Sequence, residues 1–149
     1  MKKKILLGFF ILFIGCIGGF LLMQIIPYGK DHTNPPVVSE PNWDSPKIRA
    51  YAQRVCFDCH SNETTWPWYS SIAPVSWLVQ RDVDEGRREL NFSDWSKYSG
   101  RRNMAREIIE NVQEGEMPPL IYAIQHPEGK LSDIEKEEFI KGMTATFSQ

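Results

Sequence analysis

Three residues of the chain have the clearest chemistry, and they lie within the pentapeptide Cys56-Phe57-Asp58-Cys59-His60. This is the C-x-x-C-H spacing of a c-type haem attachment site. Two thiols at this separation can each add to one vinyl group of a haem, and the histidine that follows can give an imidazole nitrogen to the iron. A shift of one position would spoil this geometry. The motif therefore predicts one covalent haem c, held by Cys56 and Cys59, with His60 as an axial ligand.

A C-x-x-C pair has other possible meanings, namely a thioredoxin-like redox motif, half of a zinc site or a plain disulfide. A zinc site would need a second pair of ligands, and no cysteine follows Cys59. A thioredoxin-like motif would need a βαβ context, which the flanking sequence does not supply. The third cysteine, Cys16, lies far away in an apolar run, so a disulfide scaffold is disfavoured.

The first 26 residues determine the expected compartment. Three lysines precede an apolar run over residues 5–26, whose one polar side chain is Gln24. About 20 apolar residues can cross a bilayer as a helix, and lysines favour the cytoplasmic side. We expect residues 1–26 to be an uncleaved anchor that places the rest of the chain on the periplasmic or extracellular side of the cytoplasmic membrane. A cleaved signal, or a lipoprotein signal at Cys16, remains an alternative, and both also export the domain.

Prolines and polar residues over residues 27–45 predict an extended linker, in which His32 is expected to be solvated. Ser45 and Pro46 have the types preferred at a helix N-cap and at the first helical position, so a haem-binding domain is predicted over residues 46–149. Apolar residues recur there at intervals of three and four, which predicts helices. Four are expected, from residue 46 through the cysteine pair, over 71–90, over 100–114 and from Ser132 onward. The predicted fold class is therefore all-α: a cytochrome c-like domain of about four helices around the haem, preceded by one transmembrane helix.

The second axial position of the iron has one favoured candidate, Met117. It follows a predicted helix end at Gly115 and precedes two prolines, which would hold its loop stiffly. His126 is the alternative ligand and would give bis-histidine ligation. Met104 and Met143 lie in helical patterns and are better explained as core residues. An iron with an open position is the third possibility.

The surroundings of the haem are expected to be aromatic, because all five tryptophans fall between residues 43 and 95. Four of them are predicted to pack around the haem and to lower the local dielectric constant, namely Trp66, Trp68, Trp77 and Trp95. Arg101 and Arg102 are candidates to pair with the haem propionates. The net charge of −2 gives no electrostatic reason to expect nucleic-acid binding.

The run from Cys56 to Trp77, with its internal Trp-Pro-Trp-Tyr-Ser segment, resembles the small bacterial haem-binding-domain proteins. The resemblance covers residues 45–145 and extends through Met117-Pro-Pro and His126-Pro-Glu-Gly. It implies a membrane-tethered, mainly helical, monohaem c-type domain in which the cysteine pair and His60 hold the haem. It does not decide between Met117 and His126.

The favoured function is one-electron transfer to and from redox partner proteins at the membrane, with no enzymatic activity. One alternative is an open-iron sensor or a peroxidase-like enzyme, for which His126 is the one candidate for a distal base. Another alternative is a C-x-x-C dithiol module that carries no haem.

Overall fold

The computed structural model describes residues 2–101 and 103–148, and these residues contain α-helices and short 3-10 turns but no β-strand. In chain order the helices are α1 (Lys2–Met23), α2 (Pro46–Val55), α3 (Phe57–His60), α4 (Val75–Glu89), α5 (Met104–Glu114), α6 (Leu120–Gln125) and α7 (Asp133–Phe147). The all-α class is confirmed. The four longest helices after α1 are α2, α4, α5 and α7, which correspond to the four predicted helices.

The chain forms two compact units, of which the first contains the residues up to Thr33 together with Trp66–Asp82. Its longest element is α1, which has no buried residue and a mean hydropathy of 2.7 over its most apolar window. At a rise of about 1.5 Å per residue such a helix is about 33 Å long, and the hydrocarbon core of a bilayer is about 30 Å thick. By length and composition, α1 can therefore cross a membrane.

His32 belongs to this first unit and does not have the solvated environment predicted for it. Its ring stacks on Trp66 with centroids 4.6 Å apart. Its Nε2 atom lies 3.2 Å from the carbonyl oxygen and 3.2 Å from the hydroxyl of Ser70. Ring stacking and hydrogen bonding of this kind depend on the fold, and the polar composition of the local sequence does not reveal them.

The second unit contains Asn34–Thr65 together with the chain from Val83 onward. The apolar stripe of α2 lies in its core, as Ile48, Ala52 and Val55 are each no more than 7% exposed. Tyr51 of α2 also belongs to this core, and the remaining core residues come from α3, from the segment after α4, and from α5 and α7, namely Phe57, Leu90, Phe92, Tyr98, Met104, Ile108, Val112, Phe139 and Met143. Met104 and Met143 are thus core residues, as predicted.

The ends of these helices follow the predicted capping chemistry. The Ser45 hydroxyl accepts a hydrogen bond from the backbone at the start of α2, and Gly115 ends α5 with a φ of +78°, a conformation that glycine adopts at low cost. At α7, Ser132 and Glu135 form a capping box. The backbone N–H of Ser132, and then the Arg54 guanidinium, hold the pKa of Glu135 at about 2 instead of 4.5.

The predicted linker has no helix, and its part from residue 34 onward makes specific contacts within the second unit. The backbone N–H groups of Val38 and Ser39 donate to the Ser93 carbonyl at 2.8 and 3.1 Å. The ring of Trp43 packs against Phe92, with centroids 5.3 Å apart. The domain boundary at residue 45 stays a prediction, but residues 38–43 are part of the packed structure.

Three predicted helices differ from those observed, and the one predicted over 100–114 begins at Met104 and not at residue 100. The first ends at Val55, and Cys56 (φ −125°, ψ −37°) separates it from α3. The second begins at Val75 and not at residue 71, because proline disfavours the helical conformation in the residue before it, here Ala73. A 3-10 turn, Trp68–Ser71, precedes it. Helix α6 was not predicted, because the two prolines before it indicate an extended loop.

Candidate haem site

Helix α3, together with its N-cap residue Cys56, places the three residues of the C-x-x-C-H motif on a single turn. The backbone N–H groups of Cys59 and His60 donate to the Cys56 carbonyl at 3.2 and 2.8 Å. Phe57 is 2% exposed and stacks on Phe92 at 5.8 Å, so it fixes the turn in the core. Cys56 and Cys59 are not joined in a disulfide. The turn therefore presents two thiols and an imidazole next to one another.

The His60 ring is oriented by two backbone carbonyls at the end of α4. Its Nδ1 atom lies 3.0 Å from the oxygen of Gly86 and 3.2 Å from that of Leu90. Carbonyl oxygens only accept hydrogen bonds, so Nδ1 carries the proton and the lone pair is on Nε2. Burial lowers the pKa of His60, which keeps the ring neutral. A neutral imidazole whose Nδ1–H is bound to a carbonyl is the usual form of a metal ligand.

Gly86 permits this arrangement because it has no side chain. A Cβ atom at Gly86 would lie 2.5 Å from the Cys59 carbonyl oxygen and 2.9 Å from the Cys59 Cβ. Both distances are far below ordinary van der Waals contact. Any other residue would push α4 away from α3, and the Gly86 carbonyl would move away from His60 with it.

A buried polar network fixes the chain after His60. The backbone N–H of Asn62 donates to the Ser93 hydroxyl at 2.9 Å, and the side-chain amide of Asn91 donates to the side-chain oxygen Oδ1 of Asn62 at 2.8 Å. The backbone N–H of Phe92 donates to the His60 carbonyl at 2.8 Å. All three polar side chains are at most 8% exposed. Satisfied buried hydrogen bonds of this kind hold one loop conformation.

Arg87 also belongs to this network, although it lies among the alternating charges of α4. Its guanidinium donates to the Ser61 carbonyl at 2.8 Å, to the Asn34 side chain at 2.8 Å and to the Thr64 hydroxyl at 3.0 Å. Partial burial lowers its pKa. Arg87 thereby joins the chain before and after the haem motif to α4.

Tyr122 connects α6 to the interior of the C-x-x-C-H motif. Its hydroxyl donates to Asp58 Oδ2 at 2.7 Å, while the backbone N–H of Thr65 donates to Oδ1 of the same carboxylate at 2.9 Å. Burial, and then the Asp58 carboxylate, raise the pKa of Tyr122, so the hydroxyl stays protonated and remains a donor. Sequence reasoning missed this bond because the two residues are 64 positions apart.

The two candidates for the second axial ligand flank Tyr122. Met117 lies on the connection between α5 and α6 and is 37% exposed. The ring of His126 stacks on Tyr122, with centroids 4.4 Å apart, and its Nδ1 atom lies 3.0 Å from a Glu128 carboxylate oxygen. Through Tyr122 both candidates belong to a segment bonded to Asp58, but which of them binds iron stays a prediction.

The residues predicted to surround the haem have different positions. Trp95 is part of the core of the second unit, where it stacks on Phe92 and on Phe147. Arg101 lies 4.8 Å above the Tyr98 ring and donates to a backbone carbonyl. Arg102 lies outside the described residues. The roles predicted for Trp66, Trp68 and Trp77, which belong to the first unit, stay predictions.

The environment of Cys56 differs from that of a reactive dithiol. Burial, with a smaller contribution from Cys59, raises the pKa of the Cys56 thiol to about 12. The attacking cysteine of a redox-active pair has a lowered pKa, because the thiolate is the nucleophile. The raised pKa of the Cys56 thiol therefore disfavours the interpretation of this motif as a thioredoxin-like module.

Comparison with known proteins gives one match. The family model described as a haem-binding domain matches residues 18–145, which includes the motif, α4 and the segment that contains Met117 and His126. No curated protein and no solved structure matches the chain.

Proposed function

Because the chain belongs to the haem-binding domain family, we propose that it is a membrane-tethered monohaem c-type cytochrome that carries single electrons outside the cytoplasm. The haem would be bound through Cys56 and Cys59, with His60 and Met117 as the axial ligands. When bound, haem supplies an iron centre that cycles between two oxidation states.

The observation that carries this proposal is the state of His60. Its Nδ1–H is held by the carbonyls of Gly86 and Leu90, which leaves the Nε2 lone pair for a metal. It is adjacent to one thiol and one turn away from the other, as attachment by two thioethers requires. The high pKa of Cys56 supports a structural role for the pair over dithiol exchange.

Helix α6 lies between Met117 and His126 in the chain and offers apolar surface for a macrocycle. Leu120, Ile121 and Ile124 are each more than 60% exposed. Their helix is bonded to Asp58, inside the haem motif, through the Tyr122 hydroxyl. Exposed apolar side chains beside a cofactor motif fit a large hydrophobic ligand.

The residues of the chain then have distinct roles. The Nδ1–H group of His60 donates hydrogen bonds to two carbonyls. These bonds make the imidazole a stronger electron donor to the iron and favour the oxidised state. A thioether at Met117 favours reduced iron and raises the reduction potential. The core around Phe57 and Phe92 excludes water on one side of the motif, which disfavours the extra charge of the oxidised state.

The proposed setting is the outer face of the cytoplasmic membrane. Helix α1 would be the single anchor, and Lys2, Lys3 and Lys4 would remain on the cytoplasmic side. A domain tethered there can exchange electrons with other membrane-associated redox proteins. We propose an electron carrier and not an enzyme, because a carrier with two protein ligands has no iron position for a substrate.

The test is the absorption spectrum and reduction potential of the purified holoprotein, with Met117→Ala and His126→Ala measured side by side. Met117→Ala is expected to abolish the weak long-wavelength band of the iron–thioether bond, to lower the potential and to let the reduced protein bind carbon monoxide rapidly. His126→Ala is the matched control and should change none of these.

Two results would contradict the assignment. An unchanged spectrum in Met117→Ala would remove Met117 as a ligand. Rapid carbon monoxide binding by the unmodified protein would indicate an open iron position, and the protein would then be a sensor or a peroxidase-like enzyme.

A further inference from the structure

A long stretch without charge lies almost entirely in the first unit. From Thr64 to Gln80 there is no Asp, Glu, Lys or Arg, whereas charged residues make up 24% of the whole chain. Glu63 precedes this stretch, and Arg81 and Asp82 follow it. Surface segments of soluble domains are usually rich in charged residues, so the absence of charge over 17 positions needs a physical reason.

This uncharged stretch is not simply core sequence, because several of its apolar side chains are exposed. Trp68 is 78% exposed, Leu78 52%, Val75 39% and Ile72 37%. Val75 and Leu78 are three positions apart on α4 and therefore lie on the same side of the helix. We call these four side chains the interfacial patch.

The segment with the interfacial patch is bonded to the end of the apolar helix α1. The side chain of Gln24, the first residue after α1, pairs with the backbone of Ala73: its Nε2 donates to the Ala73 carbonyl at 2.9 Å, and its Oε1 accepts from the Ala73 N–H at 3.0 Å. Ala73 is itself 1% exposed. The patch is thus fixed at the level where α1 would leave a bilayer.

A second close approach supports the same placement. Gly29 has a φ of +76°, and a Cβ atom there would lie 2.4 Å from the Ser76 carbonyl oxygen. The chain that leaves α1 therefore packs directly on the first turn of α4. Two independent contacts, at Gln24 and at Gly29, join the end of α1 to the segment that contains the patch.

We propose that the interfacial patch lies in the lipid headgroup and upper acyl region of the membrane that α1 spans. Trp and Tyr are enriched at this depth because their rings are apolar and carry one polar group. Trp68, which belongs to the patch, and its neighbour Tyr69 lie in the 3-10 turn Trp68–Ser71. The inference rests on the membrane attachment proposed above. Beyond membrane attachment, it specifies the depth of residues 66–80 in the bilayer and their orientation, since a flexible tether would leave these residues in water.

A lipid surface fits the observations better than a protein partner. A protein interface usually combines apolar residues with polar and charged ones at its rim, whereas this segment has no charge over its whole length. It is also continuous with an element whose own expected environment is lipid. The first charged residues after α1 are Lys30 and Asp31, and the first after the patch are Arg81 and Asp82. In this placement these four side chains lie on the water side of the interface.

The experiment is photolabelling of the full-length holoprotein in phosphatidylcholine vesicles that contain a diazirine phosphatidylcholine, reactive just below the headgroup. After illumination and proteolysis, lipid adducts are quantified by mass spectrometry on the peptides from α1 and from residues 64–80. We expect adducts on both. In the Trp68→Glu/Leu78→Glu double variant, the number of adducts on the 64–80 peptide should fall by a factor of about three or more, because burial of apolar area drives insertion.

The matched control is Ile134→Glu. Like Trp68, Ile134 is an exposed apolar side chain (73% exposed), but it lies on α7 and outside the patch. It should leave labelling of the 64–80 peptide unchanged, and the haem absorption of each sample reports that the site is intact. Adducts on α1 alone would overturn the inference and leave the anchor in place. Absence of adducts from both peptides would overturn the anchor and the inference together. Equal labelling of 64–80 in the double variant would overturn the inference as well.

Discussion

The close contact at Gly86 allows a quantitative prediction for Gly86→Ala. The new Cβ would begin 2.5 Å from the Cys59 carbonyl oxygen, so α4 has to move away from α3 by about 1 Å to restore contact distance. The Gly86 carbonyl moves with it, and its present 3.0 Å distance to His60 Nδ1 then becomes too long for a good hydrogen bond.

The expected loss of stability follows from three contributions. Overpacking at such a site costs about 1–3 kcal/mol. Loss of the Gly86 acceptor costs about 0.5–1.5 kcal/mol, because the Leu90 carbonyl still accepts from His60 Nδ1. These losses are offset by about 1 kcal/mol, because alanine has a higher helix propensity than glycine. The free energy of unfolding should therefore fall by about 0.5–3.5 kcal/mol. With weaker donation from Nδ1–H, the imidazole becomes a poorer electron donor and the reduction potential should rise.

The assay is urea unfolding of the holoprotein, followed by haem absorbance, together with potentiometric titration. The matched control is Gly100→Ala, because no atom lies within 4 Å of a Cβ built at Gly100. The control should stay within about 0.5 kcal/mol of the native protein. Equal stability and equal potential for the two alanine variants would refute the role given to Gly86.

Three further predictions concern the network around the site. Arg87→Met should lower the free energy of unfolding by about 2 kcal/mol more than the solvent-exposed control Arg88→Met, because only Arg87 has partly buried acceptors; similar losses in urea unfolding would contradict the assigned burial. Tyr122→Phe should cost about 1.5–3 kcal/mol, since the hydroxyl donates to the Asp58 carboxylate; the measurement is again urea unfolding, and no loss would contradict a folded-state bond. Glu135→Gln should make the melting temperature less sensitive to acid. The pKa of Glu135 in the folded protein is about 2, below the ordinary value of 4.5. The Glu135 carboxylate therefore stabilises the fold above pH 4.5, and this stabilisation disappears as the pH falls toward 2. Identical melting curves between pH 5 and pH 2 for variant and native protein would refute it.

The helical framework was largely predictable because it depends on local patterns. The stripe of Ile48, Ala52 and Val55 identified α2, and the capping residues Ser132 and Gly115 correctly marked the beginning of α7 and the end of α5. Apolar periodicity is less informative about environment. In α4, Val75 and Leu78 have the three-residue spacing of one helix face, yet both are exposed.

The contacts of the site were not predictable from local patterns. The bonds of Arg87 and the pair formed by Tyr122 and Asp58 join residues far apart in the chain. The motif predicts His60 as a ligand, but the orientation of its ring depends on carbonyls at the end of α4. A composition of prolines and polar residues indicated a linker, and it could not show that Trp43 packs on Phe92. Such contacts depend on the tertiary structure.

The central claim is that Cys56 and Cys59 hold one haem covalently. The most direct measurement is the intact mass of the denatured, exported protein beside the Cys56→Ser/Cys59→Ser double variant, with a pyridine haemochrome spectrum of each. The native chain is expected to carry the added mass of one haem and to give the spectrum of a haem with both vinyl groups saturated, while the double variant gives neither. A native chain with the mass of the polypeptide alone would contradict it.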